Sequence, residues 1–482
     1  MIYCGFNRAA KDKSATFARY CGGQPKWLQS PGRSPPYACP LHRSFMVQLQ
    51  PNSTDASDGA FDLTAEQVAA LDALHEFVQS QEKLYLLTGY AGTGKTTLLQ
   101  MFVSGLREQG DDRKVVLSAF SNKATKVLAT MADQWQLEVD AMTCCTLLGL
   151  RPVIDEDTGK QEFQPDRKQG SQVDRYRLVI VDECSMVNEE LWLLLVNAVS
   201  SLYGGTQILF VGDPAQLPPV NESESACFRQ IVHRSELTEV VRYGGAIGVI
   251  AEDLRRNLER DRLPRLRSDT NAERTEGCFV LPRHGWETLM LRAFTSEAYQ
   301  RNPDQVRALA YTNRRVTQLN QMIRQAIYGS TALRFVPGER LIALTPCLDD
   351  ESVILPTSAE CEVIEVRRGR DGEWPIWSLF VETEEQKFKT LRVLHESGQG
   401  EMTAKLDLLS REKRWMEFWD LKQRFHGVDY AYSLTIHKSQ GSTFQDVFVD
   451  VPSMQANRNV IERNQLCYVA FTRAAKRLFV YQ

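Results

Sequence analysis

The chain has 482 residues, 43% hydrophobic and 24% charged, with a net charge of −4. That length suits roughly three units of ordinary domain size, and no apolar run approaches the ~20 residues of a membrane span. The slightly acidic balance excludes a global basic field, so a nucleic-acid site has to be a local groove. Eleven cysteines without CxxC pairs suit reduced thiols in a cytosolic compartment, not a disulfide framework or zinc cage.

Residues 1–60 differ from the rest. Up to Arg43 there are seven Lys or Arg and one acid, Asp12, with no sustained periodicity. Three readings stay open: zinc ligation by Cys4, Cys21, Cys39 and His42, whose spacings match no compact module; a basic, acid-poor transit peptide; or an upstream stretch before a true start at Met46. All three predict disorder. Thr64 to Gln67 then opens a helix as a capping box. The Gln67 amide has a second candidate role, pairing with an adenine.

Leu84, Tyr85, Leu86 and Leu87 make the apolar run of a buried parallel strand. Gly89, Tyr90, Ala91, Gly92, Thr93, Gly94, Lys95 and Thr96 follow as G-x-x-x-x-G-K-[ST], and Leu98, Leu99, Phe102 and Leu106 mark an amphipathic helix. Strand, glycine loop and helix in this order separate a phosphate loop from a glycine-rich turn. Backbone N–H groups and the helix N-terminus favour phosphate there. Lys95 is expected at the β- and γ-phosphates and the Thr96 hydroxyl on Mg²⁺, which makes this a nucleoside-triphosphate site.

Val115 to Ala119 is a second strand, leading into Ser121, Asn122, Lys123 and Lys126 at a helix start, which suit a phosphodiester backbone or simply solvent. Residues 151–176 look like an inserted two-stranded ribbon, with Asp155 to Lys160 as its turn. Its one sizeable aromatic, Phe163, either meets the last base pair of a duplex or tucks back onto the domain. Leu178 to Val181 is a buried strand running into Asp182 and Glu183, at the strand edge where α/β sheets bind ligands. Asp182 is expected to hold Mg²⁺, and Glu183 to orient or deprotonate a water. Gln207 to Val211 is a neighbouring strand ending before Gln216, placed to sense a γ-phosphate.

The first α/β unit is expected over 61–254, a charged connector over 255–304, and a second α/β unit over 305–482 without a phosphate loop. Short alternating strands at Glu362 to Val366, Trp377 to Val381 and Lys389 to Leu394 suggest a small β-barrel inserted in the second unit. Trp415, Phe418, Trp419, Leu421 and Phe425 fall at helical spacing and suit core packing. Tyr430 to Ile436 is a strand ending in His437, Lys438, Ser439, Gln440 and Gly441, and a helix from Asn464 ends in Thr472 and Arg473.

With these residues in hand, the chain resembles superfamily 1 helicases of the B subclass, the Dda-like and RecD-like group. The resemblance runs from about Phe61 to Gln482 through Gln67, GYAGTGKTT, SAFSNKATKVL, TCCTLLGL, VDECSM, GDPAQLPPV, Arg242, YTN, YSLTIHKSQGSTF and YVAFTRA. It implies two RecA-like parallel-sheet domains with ATP between them. Gln67, Gly89, Gly92, Thr93, Gly94, Lys95, Thr96, Thr97 and Gly441 would then surround the nucleotide. Thr96 and Asp182 would hold Mg²⁺, with Lys95, Glu183, Gln216 and two arginine fingers, Arg242 and Arg473, completing catalysis. The resemblance also implies single-stranded DNA across the top of both domains, held by Ser121, Asn122, Thr143, Thr435, His437, Lys438 and Ser439. The ribbon corresponds to a strand-separating pin carrying Phe163, and 350–428 to an SH3-like insertion. Two departures stand out. Phe120 replaces the usual Pro before Ser121, and Cys145 stands where His is common.

The implied activity is ATP-dependent 5′ to 3′ translocation on single-stranded DNA with unwinding of forked duplex, or translocation that strips bound proteins without efficient unwinding. A monomer acting at the nucleoid in the cytoplasm, alongside single-strand-binding, replication, repair or recombination proteins, is the expected setting.

Overall fold

The computed structural model describes residues 63–154, 161–165, 170–200, 205–241, 245–349 and 352–481. The 1–60 extension with its three readings, Arg242 and the ribbon's Asp155–Lys160 turn lie outside the described residues.

The first half alternates helix and strand. It runs α1 (Ala65–Gln79), β1 (Leu84–Gly89), α2 (Lys95–Glu108), β2 (Val115–Ala119), α3 (Asn122–Gln134) and β3 (Asp140–Thr143). The pair β4 (Leu150–Ile154) and β5 (Gln161–Pro165) follows, then β6 (Leu178–Asp182), α4 (Glu189–Val199), β7 (Gln207–Gly212) and β8 (Arg234–Leu237). Six strands form a parallel sheet in the order β3-β2-β6-β7-β1-β8. Their apolar runs are buried on both faces, as a sheet covered by helices on each side requires. Leu86, Val116, Val179 and Ile208 pack under α4 with Trp192 and Leu195. The alternate residues Leu87, Val115, Leu117 and Leu209 pack under α1, α2 and α3 with Leu74, Phe102 and Leu128. β4 and β5 pair antiparallel apart from this sheet, with Phe163 opposite Pro152.

The second half runs α5 (Gly245–Arg256), β9 (Asp269–Thr270), β10 (Gly277–Val280), α6 (Arg283–Phe294), β11 (Val306–Ala310), α7 (Asn313–Tyr328) and β12 (Arg340–Ala343). After it come β13 (Cys347–Asp349), β14 (Ser352–Leu355), β15 (Glu360–Asp371), β16 (Trp374–Thr383), β17 (Phe388–Leu394), α8 (Gln399–Arg411) and α9 (Trp415–Gln423). The chain closes with β18 (Val428–Tyr430), β19 (Ser433–Thr435), β20 (Phe444–Asp450), α10 (Val460–Thr472) and β21 (Ala474–Tyr481). A second sheet takes the order β19-β11-β20-β21-β10-β9, parallel except for the antiparallel edge strand β9. The expectation of an α/β chain with two parallel-sheet domains is met.

Two expected boundaries move. The connector is no connector over 277–301: β10 lies beside β21 in the second sheet, and Trp286 on α6 is buried with its indole N–H donating to the Phe479 carbonyl at 3.0 Å. Four residues of strand are too short for period-2 patterning to register above the charged residues around them. Likewise α5, placed at the end of the first unit, buries Ala246, Ile247, Ala251 and Leu254 in a cluster with Leu466, Tyr468 and Ala470 of α10. Its apolar face was legible, but its partner lies some 200 residues away.

The insertion also spreads beyond 350–428. Its strands form an antiparallel sheet in the order β17-β16-β15-β12-β18, so β12 and β18 on either side complete it. Helices α8 and α9 pack below, where Trp374, Leu394, Leu409 and Leu421 cluster with Phe418 and Phe425. Of the aromatic run, Trp419 and Leu421 are buried and Phe418 and Phe425 pack against this cluster, while Trp415 is half-buried. Only Leu409 of α8 is buried, too little apolar patterning to announce a helix.

Candidate nucleotide cleft and nucleic-acid face

Strand register sets the site. Ala119 aligns with Thr143 on one side and Asp182 on the other, Val181 with Phe210, and Thr88 with Gly212. The C-terminal edge of the first sheet therefore presents, from one end to the other, Thr143, Ser121, the Asp182–Glu183 pair, the Asp213–Gln216 turn and the phosphate loop. Parallel strands ending level make one ligand-binding rim.

The phosphate loop is held from several sides. Gly92 and Gly94 take φ of 83° and 79°, open to glycine without strain. A Cβ at Gly89 would stand 2.7 Å from Thr93 Oγ1. Thr93 is fully buried, and its hydroxyl donates to the Tyr90 carbonyl at 2.9 Å. Lys95 Nζ donates to the carbonyls of Gly89 (2.6 Å) and Tyr90 (2.9 Å), so its charge is held within the loop. Gln67 forms the expected capping box, its Oε1 accepting from the Thr64 amide at 3.0 Å. Its Nε2 donates to the Thr93 carbonyl at 3.0 Å. Both ends of that amide are thus engaged, and Gln67 touches the site through the loop and not as a free adenine partner. The Val241 amide donates to the Gly92 carbonyl at 3.0 Å, anchoring the segment before Arg242 against the loop. Thr96 and Thr97 follow Lys95 in the first turn of α2, both half-buried.

The acids sit where their charge is costly. Burial first, and the neighbouring charge of Glu183 next, push the Asp182 carboxyl up to about 7, against the Glu183 amide hydrogen bond and Lys95. Glu183 adopts φ 52° and ψ 42°, a left-handed conformation that costs a non-glycine residue on the order of 1–3 kcal/mol. Gln216 is 4% exposed, and its Oε1 has no hydrogen-bond partner. The half-buried Asp182 carboxylate at the end of β6 and the Thr96 hydroxyl in the first turn of α2 are oxygen donors of the kind a hard divalent cation takes.

Across the cleft stands α10. Arg473 at its end is 5% exposed, and its guanidinium donates to the Val469 carbonyl (3.1 Å), the Ser442 carbonyl (3.0 Å) and the Thr472 hydroxyl (3.2 Å). These acceptors are all neutral. Farther up the same helix, the Tyr468 hydroxyl accepts from the Ala91 amide of the phosphate loop at 2.9 Å. It donates to Asp213 Oδ2 at 2.8 Å.

Gly441, expected at the nucleotide, turns at φ 72° where a Cβ would lie 3.1 Å from Ala124 Cβ, so it also permits close approach of the second domain to α3. One assignment is corrected. Ser439, expected on DNA, is fully buried, and its hydroxyl donates to the Ile436 carbonyl at 2.7 Å. The rest of the nucleic-acid face is more open. Ser121 and Thr143 each cap a helix start, accepting from Ala124 N (3.1 Å) and Thr146 N (3.2 Å), and the Thr143 hydroxyl also shares a hydrogen bond with the Thr146 hydroxyl at 2.9 Å. Asn122 is exposed. Thr435 ends β19 level with Ala310, with only 8% exposure. His437 and Lys438 follow in a half-buried turn, and burial lowers the proton affinity of both. Phe163 lies on β5 of the ribbon; its side chain is outside the described residues.

The α3 lysines are already paired. Lys123 Nζ lies 3.3 Å from Glu360 of the insertion sheet, and Glu360 lies 3.2 Å from the buried Arg307. Lys126 lies 3.5 Å from the Glu384 carboxylate and donates to its carbonyl at 2.9 Å.

Comparison with known proteins points the same way. Residues 62–271 match an AAA domain family, and residues 430–481 match the UvrD-like helicase C-terminal domain. The ATP-dependent DNA helicase dda of Enterobacteria phage T4 is 25% identical over 472 residues, covering 87% of this chain and 99% of its own. The chain is similar to helicases of superfamily 1, subclass B. The ATP-dependent DNA helicase Pif1 of Bdellovibrio bacteriovorus is 24% identical, covering 82% of this chain and 83% of its own. A Bacteroides Pif1 helicase in complex with ADP-AlF3 and ssDNA covers 87% of this chain and 92% of its own, at 15% identity and a TM-score of 0.49.

Sequence reasoning missed Tyr468 and Asp213. Both stand inside quoted motifs, but nothing in a single sequence says which motif residue faces across a cleft. The pairing of Lys123 with Glu360 spans 237 positions and leaves no local signal.

Proposed function

We propose that this chain is an ATP- and Mg²⁺-dependent DNA helicase that moves 5′ to 3′ on single strands and unwinds forked duplex. The observation that carries the reading is Arg473, a buried cation hydrogen-bonded to neutral acceptors, on the helix whose Tyr468 touches the phosphate loop. A buried charge without an anionic partner is costly, and the γ-phosphate supplies that anion. Arg242 enters as a second finger from the segment held to Gly92 through Val241.

Lys95 would leave its carbonyl partners for the phosphates, while Gln216 would turn its amide N–H donors to the γ-phosphate, its unpartnered Oε1 left to accept from the attacking water. Glu183 orients the attacking water and takes its proton. Thr96 and Asp182 would hold Mg²⁺, which would supply positive charge against the phosphates. The two sheets draw together on ATP and part after hydrolysis, and alternate gripping of a single strand by each turns that cycle into steps. Ser121, Asn122 and Thr143 grip from the first sheet, and Thr435, His437 and Lys438 from the second. The ribbon is read as the strand-separating pin, with Phe163 at the fork, and the antiparallel sheet with α8 and α9 as an SH3-like insertion. The direction of travel rests on the family resemblance.

The test pairs DNA-stimulated ATPase with unwinding of oppositely tailed duplexes. Stimulated hydrolysis with unwinding of the 5′-tailed substrate alone is expected. Hydrolysis without unwinding on either tail would favour a strand translocase, and hydrolysis surviving Lys95→Ala would remove the reading.

A further inference from the structure

Tyr468 is 1% exposed, yet its hydroxyl reaches two elements of the other sheet. It accepts from Ala91 N–H in the phosphate loop and donates to Asp213 Oδ2 at the end of β7. Asp213 is fully buried, its Oδ1 accepts from the Ala215 amide at 2.9 Å, and its carbonyl accepts from the Gln216 amide at 3.1 Å. The Tyr468 carbonyl accepts from the Thr472 hydroxyl at 2.9 Å, and that hydroxyl oxygen accepts from Arg473 at 3.2 Å. One phenol therefore joins the phosphate loop, the Gln216 turn and the turn of helix that carries Arg473.

We propose that Tyr468 is a positioning residue for ATP hydrolysis: its hydroxyl registers the second sheet against the phosphate loop and the Asp213 turn, so that Arg473 and Gln216 reach the γ-phosphate together. The inference rests on the reading of this cleft as an ATPase site and adds the coupling element. A phenol is suited to the task because it donates to a carboxylate and accepts an amide N–H at once. Burial and Asp213 both raise its proton affinity well above the ordinary tyrosine value, so the O–H stays intact at any working pH. Packing alone would be served by the ring, which lies in the cluster with Ala215, Leu217 and Ile247.

The experiment uses the full chain with Tyr468→Phe, which keeps the ring and removes both bonds. Steady-state ATPase is measured with and without single-stranded oligothymidylate, alongside thermal melting. The expected result is a fall of roughly 10- to 100-fold in DNA-stimulated kcat, the loss of a charge-assisted bond used in the closed state. The ATP KM should move by less than about threefold. A variant with unchanged kcat, or one whose loss of activity matches its loss of folded protein, assigns Tyr468 to packing and overturns the proposal. Asp213→Asn gives an independent arm, because the amide presents N–H where the phenol needs an acceptor. It should lower kcat in the parent and add little on top of Tyr468→Phe, whereas additive losses would mean the two act separately. Should Tyr468→Phe fail to fold, Asp213→Asn decides alone: a lower kcat at unchanged KM supports the coupling, and an unchanged kcat removes it. A parent chain that does not hydrolyse ATP would overturn the site reading itself, an outcome distinct from a parent that hydrolyses and variants that match it.

Discussion

The nucleotide cleft and the α3 face treat charge in opposite ways. In the cleft, polar groups are held in states that a ligand would relieve: Asp182 with its carboxyl pushed up to about 7, Glu183 in a left-handed conformation, Gln216 with an unpartnered oxygen, and Arg473 among neutral acceptors. On α3, the cations are answered by the protein, Lys123 by Glu360 and Lys126 by Glu384. The difference teaches that ATP would enter a preorganised site, whereas a phosphodiester must displace carboxylates to reach the same lysines. Preorganisation of this kind is where catalytic advantage comes from.

The comparison breaks most visibly at Arg473. Arg473→Ala should lower DNA-stimulated kcat on the order of 10³-fold or more. The ATP KM should change far less, because the interaction belongs to the closed transition state. Steady-state kinetics at saturating DNA checks this. A loss confined to KM would place Arg473 with ground-state binding and remove the contrast.

Next comes the buried end of the α3 network. Glu360 is 2% exposed and Arg307 1%, and burial opposes the Glu360 charge while Arg307, Lys123 and Arg340 hold its carboxyl below the usual range. Glu360→Ala would leave Arg307 with the partly exposed Asp304 at 3.3 Å and the Ala431 carbonyl. Removing one partner of a buried pair typically costs ~3–5 kcal/mol, and the lower figure is expected here because Asp304 remains. Denaturant titration should give a lower midpoint at unchanged slope. A midpoint equal to the parent's would mean the pair is solvated in solution.

These two positions also mark what a single sequence discloses. Arg473 was legible because its motif lies at the end of a patterned helix. The phosphate loop and both acids were legible because each follows an apolar run that can only be a buried parallel strand. Glu360 was not, since its partners Lys123 and Arg307 lie on other elements far along the chain. Ser439 shows a finer limit. A motif names the residues of a turn, but burial decides which of them face a ligand, and here Ser439 turns inward. Residues 277–301 and α5 escaped for the same reason: a four-residue strand and a one-sided helix are defined by what they pack against.

Salt dependence sharpens the comparison. If Lys126 gives up Glu384 for a phosphate, its replacement by Ala should reduce the slope of log affinity against log salt by ~0.7, the value for one contact on a single strand. Fluorescence anisotropy with a labelled oligonucleotide across a salt series measures it. An unchanged slope would leave Lys126 to the protein's own ion pair.

The smallest effect is expected from the carboxylate on the other side of that pair. Glu384→Gln removes the charge that competes for Lys126 while keeping the backbone carbonyl that also accepts from it. Lys126 is 45% exposed and Glu384 25%, so solvent and salt screen the pair to no more than about 1 kcal/mol. Burial already raises the proton affinity of Glu384 against the pull of Lys126, which weakens its hold further. DNA affinity should therefore rise by at most about fivefold at low salt, and the gain should fade as salt rises. ATP hydrolysis without DNA should not change, because neither residue touches the cleft. A variant that binds DNA more weakly than the parent would reverse the sign, making Glu384 a brace that holds α3 in position for the strand.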